Sequence, residues 1–160
     1  MSSKGQAIRF NSDEVRSMGR ASYGVSGIRL GNGDKVVSME VVPLSKTDET
    51  ILTVTEKGYG KRSNIDDYRK TGRAGKGVIN IKVGEKTGKV IRTIAVKPND
   101  NIVITTKSGM SIRTPVKGIR VMGRAAQGVK VMNRKSGDKV GDVARLAEDD
   151  VEIDAQQTLG

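Results

Sequence analysis

Nine of the 13 arginines in this 160-residue chain fall at only three offsets of one repeating frame. Arg9, Arg16 and Arg20 return as Arg62, Arg69 and Arg73, and again as Arg113, Arg120 and Arg124. A guanidinium stays charged and presents a planar fork of donors that grips phosphate or carboxylate oxygens two at a time. Placed at one point on successive units, it makes a positive stripe. Duplex DNA, with one negative charge per about 1.7 Å of axis, matches such a stripe without its sequence being read. The competing reading is that a repeated arginine ties a loop to a carboxylate or to carbonyls. Both readings stay open for Arg20, Arg73 and Arg124, which sit beside a Gly-Val strand start. For Lys61, Arg62, Lys76, Arg113 and Lys130 the DNA reading is preferred.

The frame that positions these side chains is a threefold repeat. Gly19-Arg20-Ala21-Ser22-Tyr23-Gly24-Val25 recurs from Gly72 to Val78 and from Gly123 to Val129, at spacings of 53 and 51 residues. Gly5, Gly58 and Gly109 share one offset, and after each Gly-Val comes a short strand-like stretch and then a Gly turn, at Gly31–Asp34, Thr87–Lys89 and Ser136–Asp138. Each of these turns looks like a hairpin connection, where Gly or Asn supplies positive φ. Val36, Val90 and Val140 then open the next strand. Short Val, Ile and Thr runs predict four strands per unit. In the second unit these are about 50–55, 59–63, 77–83 and 90–96; in the third, about 101–106, 110–114, 128–133 and 140–146. Ile102, Val103 and Ile104 suit a strand covered on both faces. Ile79, Ile81 and Val83, alternating with Asn80 and Lys82, suit a strand with one wet face. A single helical turn is expected within 11–19, with Ser12 and Asp13 as caps.

A repeating four-stranded unit of about 50 residues is the mark of an all-β, propeller-like architecture. The expected organisation is three repeats, about 1–48, 49–99 and 100–146, in an incomplete ring, then an acidic tail over 147–160. The first repeat lacks a counterpart of the strands at 50–55 and 101–106. The chain is therefore expected to be part of a longer one, or to be completed by another. The tail carries Glu148, Asp149, Asp150, Glu152 and Asp154 and no base, and reads as a flexible appendage.

Composition narrows the chemistry. The net charge is +11, with no His and no Cys. Imidazole triads, thiol nucleophiles and Cys/His zinc sites are excluded, so no metal site is expected. Aromatics make up 2% of the chain, too few for base stacking to dominate, which weakens an RNA-binding reading. The Gly75-Lys76-Gly77 stretch fails the phosphate-loop pattern, and no cofactor is expected. No apolar run approaches the roughly 20 residues of a membrane helix. Asp66 and Asp67 form a turn or cap, and Tyr23, Tyr59 and Tyr68 do local packing or surface work. No catalytic centre is visible. What remains is a basic chain suited to a polyanion, or a basic propeller-type module docking an acidic protein.

The repeated G-R-A-x-x-G-V words, with Lys-Gly-Tyr-Gly-Lys-Arg at 57–62 and Ser-Gly-Met-Ser-Ile-Arg at 108–113, closely resemble the C-terminal domain of DNA gyrase A. The similarity runs from about Lys4 to Leu146; the related topoisomerase IV domain is a close alternative. The resemblance implies a six-bladed β-pinwheel whose neighbouring blades exchange strands and whose basic rim bends double-stranded DNA. It implies partnership with the rest of gyrase A and with gyrase B, in ATP-dependent negative supercoiling in a bacterial-type cytoplasm. It implies no catalytic tyrosine here. The family's Q-R-R-G-G-K-G box is absent; residues 71–77 match it at Arg73, Gly75, Lys76 and Gly77 only. The acidic residues Glu148–Asp154 resemble tails that modulate wrapping.

Overall fold

The computed structural model describes residues 1–45 and 47–147, and it is all-β apart from three single 3-10 turns. The strands are β1 (Gln6–Ala7), β2 (Thr50–Thr55), β3 (Tyr59–Asn64), β4 (Val78–Ile79), β5 (Val90–Val96), β6 (Asn101–Thr106), β7 (Ser111–Pro115), β8 (Val129–Lys130) and β9 (Val140–Leu146). They form three antiparallel sheets ordered β1-β4, β5-β2-β3-β8 and β7-β6-β9.

The sheet orders reveal strand exchange. β4 belongs to the second repeat yet pairs with β1 of the first; β8 belongs to the third yet pairs with β3 of the second. Each unit therefore donates a strand backwards to its predecessor. β7, the edge that a further unit would reach, is half exposed along its length.

Exchange also explains why β4 and β8 are short. The backbone N–H groups of Asn80 and Ile81 both point at the Gly5 carbonyl, at 2.7 and 3.4 Å. Those of Val131 and Met132 converge likewise on the Gly58 carbonyl, at 2.8 and 3.3 Å. Two donors on one acceptor break the ladder, as a bulge does. The pattern of one wet face over 77–83 is thereby overturned. Ile79 is exposed, whereas Asn80 and Ile81 are both buried. Asn80 survives burial by bonding Thr53 and the Tyr68 hydroxyl, and Thr53 reaches Thr93 at 3.3 Å.

β2 is buried at every residue because units lie against both of its faces. Ile51 packs with Ala7, Tyr68 and Ala95 toward the first unit. Leu52 and Val54 join Ile94, Ile102, Ile104, Val116, Ile119, Met132, Val140 and Val143 in the core toward the third. Alternation across a pleat thus fills two seams with one strand. In β6, Ile102 and Ile104 are fully buried and Val103 half-buried. Val90 and Val140 open β5 and β9, while Val36 is exposed and makes only an isolated bridge to Ser2.

The expected helical turn exists as a 3-10 turn at Ser12–Glu14, capped by the Asn11 side chain rather than by Ser12 or Asp13. It recurs at Ile65–Asp67, which holds Asp66 and Asp67, and at Val116–Gly118. Among the described residues nine glycines have positive φ: Gly5, Gly58 and Gly109 at one repeated offset, Gly24, Gly77 and Gly128 at another, and Gly33, Gly88 and Gly137 in the turn before the last strand of each unit.

Candidate nucleic-acid interface

The three arginine sets have different environments. In the first, Arg9 Nη1 donates to the Ile65 and Tyr68 carbonyls at 3.0 and 3.1 Å and lies 3.6 Å from Asp66. One unit on, Arg62 Nε donates to the Ile119 carbonyl at 2.8 Å. Ile119 is the equivalent of Tyr68, so both arginines close the 3-10 turn of the following unit. Arg113, with no described unit beyond it, is exposed.

The second set points the other way. Arg73 donates to the Glu14 and Ser26 carbonyls at 3.3 and 3.0 Å. Arg124 donates to those of Asp67 and Ile79 at 3.1 and 2.9 Å. Glu14 and Asp67 are equivalent, as are Ser26 and Ile79. The arginine of the repeated G-R-A word is thus a latch onto the preceding unit. Arg20, at the open side of the first unit, is exposed, and its guanidinium makes no hydrogen bond or ion pair among the described residues. These contacts meet the structural alternative for Arg73 and Arg124.

The third set is free. Arg16, Arg69 and Arg120 are exposed, and their guanidinium groups make no hydrogen bond or ion pair among the described residues. Each follows a 3-10 turn by two residues, so the fold presents the same charge at the same place on each unit. Lys76 and Lys130 are exposed as well.

Lys61 and Arg62 correct the sequence reading. Lys61 is fully buried, and its ammonium spends its three hydrogens on Ser63 Oγ (2.6 Å), the Gly123 carbonyl (3.2 Å) and the Arg124 carbonyl (2.8 Å). Arg62 is 8% exposed. Lys61 has no donor left for a phosphate, while Arg62 commits its Nε to the neighbouring unit; both hold the second unit to the third. Aligning the repeats contains the missed signal, because Ile8 and Ile112 stand where Lys61 does. The acidic set Glu148, Asp149, Asp150, Glu152 and Asp154 lies outside the described residues.

Burial pushes the Lys61 ammonium down to about 8 from an ordinary 10.5, with Asp67 raising it and Arg124 lowering it further. Burial also pushes the Tyr68 phenol up to about 12. The signs give a prediction. Between pH 8 and 10 the unfolded chain binds the Lys61 proton more tightly than the folded one, so stability rises with pH. Above pH 10 the unfolded Tyr68 loses its proton first, and stability falls. The gain over pH 8–10 should reach about 1–2 kcal/mol. Guanidinium melts of wild type and Lys61→Met across that window check it; parallel pH profiles would mean that the ammonium is not desolvated.

Strand-exchanged units joined by arginine latches, with an equivalent arginine of each unit left facing solvent at one repeated place, define an open propeller-type β-repeat protein with a basic row. Comparison with known proteins makes this specific. The family described as the DNA gyrase C-terminal domain, beta-propeller, matches residues 1–43, 49–97 and 100–150. The chain belongs to that family. It is 49% identical over 138 residues to the DNA gyrase A protein of Deinococcus deserti, covering 85% of this chain. It is 44% identical over 156 residues to that of Salmonella typhimurium, covering 96%. The chain spans 17% of the length of each of these relatives. A solved gyrase A C-terminal domain superposes with a TM-score of 0.82 at 32% identity, over 92% of this chain and 49% of that one. The topoisomerase IV C-terminal domain shares the fold, with a TM-score of 0.85 at 23% identity over 98% of this chain and 49% of that one. No helix among the described residues is long and apolar enough to cross a membrane, and no acidic cluster there could hold a metal ion.

Proposed function

We propose that this chain is a DNA-binding and DNA-bending portion of a gyrase A protein, one component of a type IIA topoisomerase, and has no catalytic centre of its own. Its units are the three repeats 1–48, 49–99 and 100–146, followed by the acidic segment. Within the whole enzyme it would guide duplex DNA into the curvature that ATP-dependent negative supercoiling requires, alongside the rest of gyrase A and gyrase B in the bacterial cytoplasm. The observation that carries this reading is the free row Arg16, Arg69 and Arg120, one unused guanidinium per unit. Lys76, Lys130, Arg20 and Arg113 add exposed charge. The names of the relatives favour gyrase over topoisomerase IV.

Bending 20–30 bp smoothly by 40–90° costs of order 1–6 kcal/mol, so several phosphate contacts must act together. A duplex of roughly 40 bp carrying a FRET pair at its ends tests this. The expected result is a rise in transfer on titration at low salt that moderate salt abolishes. Binding without a rise would reduce the role to extending a bend made elsewhere. A folded chain that leaves the duplex unbound would defeat the reading.

A further inference from the structure

We propose that a basic cleft between the second and third units holds a backbone phosphate of the same duplex, as a second anchor apart from the arginine row; this rests on the DNA-binding reading above. The cleft has a volume of about 370 Å³ and is lined by Lys57, Tyr59, Lys86, Lys130 and Arg134, with no carboxylate. The four cations come from four segments: the β2–β3 turn, the loop before β5, β8 itself and the loop after β8. Strand exchange brings them together, because Tyr59 stands opposite Lys130 where β3 pairs with β8.

The cations are poorly neutralised within the fold. Lys86 Nζ lies 5.4 Å from the centre of the Tyr59 ring, an arrangement that leaves its N–H groups available to an acceptor. Lys57 Nζ donates to the Glu85 carbonyl. Arg134 Nη1 donates to the Asp138 carbonyl at 2.6 Å and weakly to that of Lys135, while its Nε is buried without an acceptor. Lys130 is exposed with no hydrogen bond or ion pair from its ammonium among the described residues. Like charges gathered in one concavity repel, and they focus a field that draws an anion.

The repeat itself argues that this cluster is not scaffolding. At the seam between the first and second units the equivalents of Lys57, Tyr59, Lys130 and Arg134 are Lys4, Gln6, Ile79 and Val83. That seam forms the same strand exchange with one cation in place of three, so the fold does not need the others. The volume accommodates a phosphodiester, whose two free oxygens could accept from the cations that line it. Tyr59 begins β3 and Asn64 ends it, so by strand rise the cleft lies roughly 17 Å from the end that leads to Arg69. A duplex touching both is held across the width of the unit.

The test uses the whole 160-residue chain and a duplex of roughly 40 bp, with affinity read by fluorescence anisotropy across a KCl series. Lys86→Gln/Lys130→Gln should bind roughly 30–100-fold more weakly near 0.1 M salt, with a log–log slope shallower by about 2. Lys35→Gln/Lys97→Gln removes equal charge away from the cleft and should change affinity only a few-fold. Matched thermal melts verify folding; should the double variant melt early, Lys130→Gln alone should still lose about eightfold. Equal losses in the cleft and control variants, or an unchanged slope, would overturn the cleft while leaving DNA binding intact. A wild-type chain that shows no salt-dependent binding would overturn both.

Discussion

Replacing Arg16, Arg69 and Arg120 together by glutamine is expected to weaken duplex binding by roughly two to three orders of magnitude near 0.1 M salt. Each neutralised phosphate scales affinity by about the inverse 0.9 power of the salt concentration, close to eightfold per contact, and the log–log slope should become shallower by about 2.7. Thermal stability should barely change, since surface substitutions that break no contact stay within about 0.5 kcal/mol. Arg73→Gln/Arg124→Gln should do the reverse. Those side chains carry four hydrogen bonds to carbonyls of the preceding units, and their loss should cost about 2–4 kcal/mol while the folded protein keeps most of its salt slope. The two variants separate the meanings of a repeated arginine. If the triple variant binds as wild type does, the exposed row is not the path of the DNA. If it melts early, the row has contacts that the folded chain conceals.

Periodicity carried much of this architecture to the surface of the sequence. The two offsets of repeated glycine, and the Gly turns that follow them, are the places of positive φ, and the predicted ranges of β2, β5, β6 and β9 match the observed strands closely. Partner choice was not legible. A short apolar run near 78 or 129 records that it is a strand, not whether it pairs within its own unit or with the one before. That ambiguity hid the bulge at Asn80 and Ile81, and with it the reversal of wet and dry faces. The arginines show the same limit. Equal spacing places Arg9, Arg16 and Arg20 in equivalent sets, but only neighbouring carbonyls decide that Arg9, Arg62, Arg73 and Arg124 tie units together while Arg16, Arg69 and Arg120 are free. Lys61 misled because a lysine in a basic chain reads as surface charge. Its place in an apolar column, between Ile8 and Ile112, was the better guide. The basic cleft escaped notice because its members are far apart in sequence and meet only through strand exchange.

Gly77→Ala should be severely damaging for a single added methyl, lowering stability by roughly 3 kcal/mol or more and the melting temperature by roughly 10 °C. Two effects add. At φ +76 a side chain meets the usual left-handed penalty of about 1–2 kcal/mol. A Cβ there would also lie 2.2 Å from the Ala7 carbonyl oxygen, which is backbone of the neighbouring unit and cannot swing away. The donated strand must therefore lift off β1, opening the seam that Ala7, Ile51, Tyr68 and Ala95 fill. Gly24→Ala isolates the first effect. Gly24 has φ +78 at the equivalent place, but nothing lies within 4 Å of its would-be Cβ. It should cost only about 1–2 kcal/mol. Thermal melts of the two variants side by side give the difference, which is the energetic worth of close backbone approach at one seam. Equal losses would mean that the repeated glycine is kept for its dihedral alone, and that strand exchange tolerates a wider seam than the structure displays. A larger loss at Gly77 would tie the repeated Gly-Val word to the seam itself, the joint on which each unit's arginine is aimed.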